Sequence, residues 1–270
     1  PVNMVVTLNA PEKEGIKIPS AEEVKAVLAS VETAKIEPIK EKALATALMD
    51  AGKLKPGKTI SSKTDDNLET TTLKLSNGAT VILKSTNFKN DEILFRAFSK
   101  GGHSTVKDAD YYSGLYASQI AMQSGVSNFS AIELGNMLKG KNTSVSANIS
   151  LYGEGMNGGT IPKETETLLQ LIHLYFTQPR KDKEAFESFK TRQKQLFGNL
   201  MANPQIFFSN EFQKLMTKSH PRAGGVPKPE DLDKISLDAS YRIFKERFAN
   251  AGDFTFVFVG SVSYTHLRAH

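Results

Sequence analysis

Two short runs of alternating apolar residues flank the dipeptide Asn77-Gly78 in the stretch TTTLKLSNGATVILKST. Asn-Gly is the strongest short hairpin signal, because both residues tolerate the positive φ angles that tight hairpin turns use. A third apolar run, DEILFRAFSKGG, ends in a double glycine, and the alternation returns in KNTSVSANIS. Runs with a period of two residues predict strands that bury one face. We therefore expect an antiparallel sheet in the middle of the chain.

Helix signals are interspersed with these strands. Ser20 with Glu23, and Ser130 with Glu133, have the spacing of a capping box, which marks the beginning of a helix. Asn203-Pro204 combines a cap residue with a proline at the first helical position. The predicted helices cover residues 20–31, about 40–50, 108–124, 130–140, 163–176, 182–202, from 204 onward, and 236–248.

The strands and helices together predict the fold class. Further strands are predicted at residues 3–11 and in the apolar segment DFTFVFVGS. In the helix over 182–202, the buried stripe is predicted to be Phe186, Phe189, Leu196 and Leu200. The pattern indicates an α+β protein with a mainly antiparallel sheet and helices packed on it.

Composition excludes several kinds of site. The chain has 270 residues, a net charge of +5 and no cysteine, so disulfides, thiolate metal ligands and a cysteine nucleophile are excluded. Basic residues are interspersed with acidic ones, as in KDKEAFESFKTRQKQ, which favours solvated helix faces over a nucleic-acid surface. There is no apolar run of membrane-spanning length, and no signal peptide is visible at the start. We expect no nucleic-acid partner and no membrane span.

Two further stretches are interpreted from their composition. GEGMNGG, residues 153–159, lacks the following Lys-Ser/Thr of a phosphate loop, so we interpret it as a strand end and turn. Residues 51–68 are polar and rich in Lys, Gly and Ser, which is typical of a linker. We therefore place a domain boundary there, with one segment over 1–68 and a second over 69–260.

The C-terminal segment 261–270 contains His266 and His270, which are four residues apart. On a helix, this spacing puts two imidazoles on one face, as in zinc peptidases. Such sites also need a carboxylate base, but Leu267 and Ala269 occupy the two positions where it would lie. VSYTHLRAH moreover resembles the translated read-through of a sequencing adapter. We expect 261–270 to be an artefactual tail and the natural sequence to end near 260–262.

A series of longer segments resembles one family. LSNGATVILKSTNFKNDEILFRAFSKGGHS, QIAMQSGV, ELGNMLKGK, LLQLIHLYFTQPRKDKEAF, HPRAG and YRIFKERFANAGDFTFVFVG are similar to successive blocks of an insulinase/pitrilysin-type (inverzincin) zinc peptidase repeat. The similarity runs from about residue 70 to 260 and is greatest to the second half of the large bacterial members. Residues 1–68 would then be the end of the preceding repeat and a helical connector.

The resemblance implies that this repeat is the non-catalytic one. The family's active repeat carries His-x-x-Glu-His on the helix after the double glycine, which here is 108–124, with the motif expected around 115–121. Those positions hold Leu, Tyr, Ala, Ser, Gln, Ile and Ala, which offer neither a zinc ligand nor a general base. We expect no catalytic, cofactor-binding or metal-binding residue in this chain. The zinc would belong to an N-terminal half in cis, and the substrate would be an extended peptide.

The other histidines and the alternatives complete the prediction. His103 is expected in an exposed loop, His173 in a partly buried packing position, and His220 at a helix end. A serine triad assembled from distant residues stays open. The chain is predicted to be an incomplete, silent repeat of a zinc metalloendopeptidase, with a non-enzymatic scaffold subunit of the same fold as the alternative. By resemblance, the whole protein is expected in the periplasm or cell envelope.

Overall fold

The structure of the chain, a computed structural model, describes residues 4–9, 17–35, 47–220, 222–223 and 225–261. The chain divides into two compact units, residues 1–43 and 44–270. The first unit contains helix α1, Ala21–Thr33. The Glu23 N–H donates to Ser20 Oγ at 3.2 Å, and the Ser20 N–H donates to the Glu23 carboxylate at 2.8 Å. The capping box predicted at this position is therefore confirmed.

Two predictions for the N-terminal region turn out differently. The strand predicted over 3–11 is absent from its described part, residues 4–9. A strand is held by the hydrogen bonds of a neighbour, and none of the described strands pairs with this segment. Most of the helix predicted near 40–50 lies outside the described residues. Residues 47–50 are not helical, and a single 3-10 turn, Ala51–Lys53, follows them.

The second unit is built on a seven-stranded sheet. Its strands are β1 Thr59–Asp65, β2 Thr70–Leu75, β3 Thr80–Ser85, β4 Ile93–Lys100, β5 Ser144–Ile149, β6 Gly153–Thr160 and β7 Thr255–Gly260. Their order across the sheet is β1-β2-β3-β7-β4-β6-β5. Only the β3–β7 pair among these is parallel. The β2–β3 hairpin at Asn77-Gly78 is confirmed, and Gly78 has the positive φ (93°) that its turn requires.

Some helices of the second unit pack directly on one face of this sheet, and others pack on those helices. In the described residues they are α2 Tyr111–Leu115, α3 Ala117–Ser124, α4 Ala131–Met137, α5 Thr165–Thr177, α6 Lys183–Leu200, α7 Pro204–Met216, α8 Pro229–Asp233 and α9 Leu237–Arg247. Along β4, Phe95 and Ala97 are buried while Leu94 and Phe98 are exposed, which shows that a single face is covered. The predicted α+β class, a mainly antiparallel sheet with helices packed on it, is confirmed. None of the described helices is long and apolar enough to cross a membrane.

Aromatic side chains fill the space between the sheet and the helices. Phe176 on α5 lies 4.9 Å from Phe254 and 5.5 Å from Phe248, measured between ring centroids. Phe248 in turn stacks on Phe244 of α9 at 4.6 Å. A buried aromatic pair contributes about 0.5–1.5 kcal/mol beyond the burial of its area. This cluster fixes α5 and α9 on the sheet, and the positions of α2 and α3 depend on α9.

The glycine-rich segment 153–159 is a full strand, not a strand end and turn as predicted. β6 pairs with β4 on one side and β5 on the other. A Cβ on Gly155 would lie 2.4 Å from the Ala97 carbonyl oxygen, and one on Gly158 would lie 2.0 Å from that of Ser144. Glycine is thus required because neighbouring backbones approach closely, which is one of its known uses in strands.

The segment interpreted as a linker, residues 51–68, contains strand β1. β1 pairs antiparallel with β2, and all seven of its residues are exposed. Its polar composition is therefore that of an exposed edge strand, which sequence alone did not distinguish from a linker. The division of the chain at residue 68 stays a prediction.

Candidate functional site

The segment predicted as one helix over 108–124 is broken in the middle. A 3-10 turn, Asp108–Asp110, leads into α2, and Tyr116 separates α2 from α3 with φ −104° and ψ 2°. α9 fixes α2 from the side, since the Ser240 hydroxyl donates to the Ser113 carbonyl at 3.0 Å and the Ser236 N–H donates to Ser113 Oγ at 3.0 Å. These bonds are buried or partly buried, so they hold the break in place.

The side chains from Leu115 to Ala121 contain no group that binds a metal well. Tyr116, Ile120 and Ala121 are buried, whereas Gln119 is exposed. Tyr116 packs edge-on against Phe189 of α6, with ring centroids 5.6 Å apart. Across the described ranges, no cluster of three or more His, Cys, Asp or Glu residues could hold a metal ion. The prediction that the chain has no catalytic or metal-binding residue stays a prediction.

A cleft of about 820 Å³ opens beside this broken helix. We call it the tyrosine cleft; its floor and walls are Tyr111, Tyr112, Leu115, Tyr116, Gln119, Gln193, Leu196, Phe197, Asn210, Lys214, Thr217, Ser219, His220, Gly225, Val226, Pro227, Lys228 and Asp231. Four helices, α2, α3, α6 and α7, therefore contribute to it, together with described residues between 219 and 231 that include the start of α8. Its volume lies within the roughly 300–1,000 Å³ of typical ligand sites.

Part of this cleft was predicted to be buried. Of the predicted stripe on α6, Phe186 and Phe189 are buried, but Leu196 is about half exposed at the edge of the cleft and Leu200 is only partly buried. The α6 helix extends beyond the part that α3 and α8 cover. Periodicity identified the apolar stripe correctly, but it could not show where the covering elements end.

The tyrosines on the floor are neutral hydrogen-bonding groups. Burial, reinforced by the Asp231 carboxylate, raises the pKa of Tyr112 to about 12. Burial, and then the neighbouring Tyr112, raises the pKa of Tyr116 to about 12. Both phenols thus keep their protons at neutral pH and can donate or accept a hydrogen bond. The Tyr116 hydroxyl makes no hydrogen bond to another described residue, so it is available to a group in the cleft.

The rim of the cleft carries charge of both signs. Burial opposes ionisation of Asp231, but hydrogen bonds from the Lys234 ammonium and the Lys228 N–H outweigh it and lower the pKa of this carboxyl. On the opposite wall, Lys214 donates to the Glu211 carboxylate at 2.5 Å. The cleft therefore has an apolar, aromatic floor and a polar rim, as small-molecule and peptide sites often have.

Arg222 holds the loop beside the cleft in place. Its Nε donates to Asp108 Oδ1 at 2.8 Å, and its other nitrogens donate to the carbonyls of His103, Ser104 and Val106. The guanidinium also lies over the Tyr111 ring, 5.3 Å from its centroid. A planar fork with several donors suits such a site, which a lysine could not reproduce. Arg222 thus fixes its loop against the turn that follows Gly101.

His103 is buried, not exposed as predicted. It is only 7% exposed, its ring packs edge-on against Tyr111, and its Nδ1 has no hydrogen-bond partner. The turn Gly102–Thr105 encloses it, because the His103 N–H donates to the Ser150 carbonyl at 2.9 Å. Burial, and then the charge of Arg222, lower the pKa of this imidazole. A sequence position after two glycines gave no signal of this enclosure.

The other described histidines, His173 and His220, are not close enough to His103 or to acidic residues to form a cluster of three metal ligands. His173 is half-buried in α5, as predicted, and burial lowers its pKa. His220 lies after the end of α7, where its Nδ1 accepts from the Arg222 N–H at 3.1 Å. His266 and His270 lie outside the described residues. The structure therefore brings His103 and His220 to the two sides of Arg222, and His173 lies elsewhere.

Comparisons with known proteins give curated relatives that are described as zinc proteases. No family model matches the chain. The zinc protease PQQL-like of Arabidopsis thaliana is 28% identical over 204 residues, which cover 72% of this chain and 18% of that protein. The probable zinc protease PqqL of Haemophilus influenzae is 21% identical over 198 residues, covering 72% of this chain and 21% of that protein. The chain spans about a fifth of the length of these curated relatives.

Solved structures share the fold. The periplasmic protease PqqL of Escherichia coli matches with a TM-score of 0.71 and 20% identity over 93% of this chain and 27% of that one. An inactive domain of peptidase M16 from Pseudomonas fluorescens matches with a TM-score of 0.60 and 17% identity, covering 75% of this chain and 49% of that one. The first half of E. coli PqqL matches with a TM-score of 0.59 and 10% identity, covering 77% of this chain and 46% of that one. The resemblance to insulinase/pitrilysin-type peptidases is confirmed.

The segment where the resemblance places the metal motif offers no groups for metal-assisted hydrolysis. Leu115, Tyr116 and Gln119 stand where the resemblance places the metal motif, and these side chains do not fit a zinc ion. What they do provide is an apolar surface with a free phenol hydroxyl at its base. No step of peptide hydrolysis is therefore assigned to this chain's residues.

Proposed function

We propose that this chain is the catalytically silent half-domain of a zinc metalloendopeptidase. In the whole protein it would enclose the proteolytic chamber and help to hold extended peptide substrates. The observation that carries the proposal is the broken helix α2–α3. It lacks every ligand of the expected motif, yet it lies in an intact fold and forms the floor of the tyrosine cleft. A catalytic zinc ion, which lowers the pKa of its bound water, would be supplied by an N-terminal half.

The pattern of structural matches supports assignment to the second half of such a protein. Whole E. coli PqqL matches 93% of this chain, whereas its isolated first half matches 77% with half the sequence identity. The better alignment therefore involves residues outside that first half. On this proposal, residues 69–260 form the silent repeat, and 1–68 are the end of the preceding repeat and a helical connector, whose last part adds strand β1 to the sheet. The description of E. coli PqqL as periplasmic supports a cell-envelope location for the whole protein.

The tyrosine cleft is suited to one apolar or aromatic side chain of a peptide. Tyr112, Tyr116 and Phe197 give it an aromatic surface. A bound side chain does not need to stack on these rings, because burial of apolar area alone is favourable. The Tyr116 hydroxyl can bond a backbone group of the same peptide. A neutral floor and a mixed rim would accept many sequences, as expected for a surface that holds extended substrates.

The experiment measures peptide cleavage in two steps. The purified 270-residue chain is incubated with an unstructured peptide and zinc, and then with the zinc-bearing half added. We expect no cleavage by the chain alone and faster cleavage with both parts. Chelator-sensitive cleavage by the chain alone would overturn the proposal. Cleavage by the zinc-bearing half that does not respond to this chain would favour the scaffold alternative.

A cleft-blocking variant tests the role of the cleft in the same assay. Gln119 is exposed and lines the cleft, so Gln119→Trp should fill part of it without disturbing the core. Gln195→Trp is the matched control, because Gln195 is an exposed helical glutamine that does not line the cleft. We expect the first substitution to raise KM several-fold and the second to leave it unchanged. Equal KM values would remove the cleft from substrate binding.

A further inference from the structure

Helix α7 presents its polar side to its own domain. Asn210 is buried, and its side-chain oxygen accepts a hydrogen bond from the Val226 N–H at 2.9 Å. One turn further on, the Gln213 amide donates to the Ala223 carbonyl at 2.7 Å. Asn210, Lys214 and Thr217 also line the tyrosine cleft. The face of α7 that meets the rest of the domain therefore carries mainly polar side chains, with Ile206 as a partly buried apolar member.

The apolar side of α7 points to solvent. Phe208, Phe212, Leu215 and Met216 are 70%, 54%, 75% and 67% exposed. Their spacing of four, three and one residues places them on a single helix face, opposite Asn210 and Thr217. The rings of Phe208 and Phe212 stack, with centroids 6.2 Å apart. We call these four side chains the outer face of α7.

This arrangement reverses the usual orientation of a surface helix. Amphipathic helices normally turn the apolar stripe to the core and the polar stripe to water. Single exposed apolar side chains are common, but a contiguous apolar patch marks an interaction surface. The outer face also carries no charge, and its acidic neighbour Glu211 is paired with Lys214. An uncharged, apolar surface of this kind is typical of the centre of a stable protein interface.

We propose that the outer face of α7 docks on the zinc-bearing half of the same protein, an inference that rests on the proposed function. The chain spans about a fifth of its curated relatives, so most of the polypeptide of such a protein lies outside this domain. A convex helix face cannot enclose a peptide, but it can pack into an apolar groove of a folded partner. Because the tyrosine cleft lies behind the same helix, docking at the outer face leaves the cleft open.

A second copy of this chain is the weaker occupant. Two halves joined in one polypeptide meet at a high effective concentration, which a free second molecule does not reach. The connector proposed for residues 1–68 would supply that link. The outer face would thus be covered within the protein before a second molecule could bind to it.

The test measures binding of the 270-residue chain to the separately purified zinc-bearing half by titration calorimetry. Phe208→Ser combined with Phe212→Ser should weaken binding by roughly tenfold or more, because aromatic residues at the centre of an interface usually contribute most of its binding free energy. Ile132→Ser is the matched control, because Ile132 is equally exposed but stands alone on α4. Leu215→Ser provides a second variant, and circular dichroism verifies that each variant is folded. The control should bind within about twofold of the unaltered chain.

Three outcomes would overturn the inference, and they separate it from the proposed function. If the unaltered chain binds the zinc-bearing half and all variants bind equally well, the docking surface lies elsewhere and the proposed function survives. If the unaltered chain neither binds that half nor affects its cleavage of peptides, both proposals fall. If sedimentation shows a dimer of this chain that Phe208→Ser with Phe212→Ser converts to a monomer, the occupant is a second copy.

Discussion

At the scale of single residues, the double glycine has a backbone shape that other residues adopt only with strain. Gly101 has φ 148° and Gly102 has φ 69°, and both values lie in the region that favours glycine. A Cβ on Gly102 would lie 2.4 Å from the Ser150 carbonyl oxygen. The buried Glu154 carboxylate accepts the Gly102 N–H at 2.6 Å and stabilises this turn. This turn places His103 edge-on against Tyr111, beside the tyrosine cleft.

Gly102→Ala should therefore destabilise the domain. We expect a loss of roughly 2 kcal/mol or more in the free energy of unfolding, from backbone strain and the close contact. Gly198→Ala is the matched control, since a Cβ at Gly198 on α6 would meet no atom within 4 Å. That substitution should stabilise the helix by about 0.5–1 kcal/mol. Urea unfolding of both variants measures the difference, and equal stabilities would contradict the assigned backbone constraint.

His103 should make stability depend on pH. Burial and Arg222 lower its pKa in the folded chain, whereas the unfolded chain has the ordinary value of about 6.5. As the pH falls below about 6.5, the unfolded chain takes up a proton that the folded chain does not, so stability decreases. The decrease ends below the folded-state pKa. His103→Gln should flatten the fall in Tm between about pH 7 and pH 5.

A second histidine contributes to the same pH range. Burial also lowers the pKa of His173, so His173→Gln should remove a separate part of the slope. Because the two residues are on different elements, their effects should add in the double variant. A full slope in His103→Gln would show that this imidazole is not kept neutral in the folded protein. Thermal melts followed by circular dichroism at a series of pH values are sufficient.

At the scale of elements, local signals were the ones that could be predicted from sequence. The Asn77-Gly78 hairpin and the Ser130–Glu133 capping box act within a few residues, and both are confirmed. The strand β6 was missed, since its glycines are required by backbones of distant strands. The break at Tyr116 was also missed, because bonds from α9 hold it. Contacts between remote segments decide such features, and a single sequence does not display them.

Helix α7 shows the same limit for amphipathic faces. The sequence indicated where this helix begins, and Asn203 caps it as predicted. A stripe of apolar residues shows that a face must be covered, but not by which part of the protein. Burying a side chain such as Phe212 contributes about 1.5–3 kcal/mol, so covering the outer face would be strongly favourable. The tyrosine cleft could not be predicted from the sequence for the same reason, because its shape depends on where α7 packs.

At the scale of the whole molecule, the domain combines a confirmed peptidase fold with side chains at positions 115–121 that offer no good metal ligand. The resemblance places the family's metal motif at these positions. The structure adds what fills those positions: a broken helix, neutral tyrosines and a cleft. At these positions Ala117 and Ala121 belong to the main hydrophobic core, and Tyr116 and Ile120 belong to a second buried cluster, so the segment serves packing and the fold does not depend on a metal site there. A silent repeat can therefore keep the architecture and lose the reaction.

The last prediction concerns zinc binding by the entire chain. After dialysis against a buffer without metal, the purified 270-residue chain should retain much less than one zinc ion per molecule. The described residues offer no cluster of three ligands, and structural or catalytic zinc sites need at least three from the protein. Truncation after residue 260 removes His266 and His270, so it tests whether the tail supplies a ligand. One zinc per chain, measured by atomic absorption and lost on replacing His103 or His220, would contradict the assignment of a silent domain. Zinc lost on truncation alone would instead assign the metal to the tail.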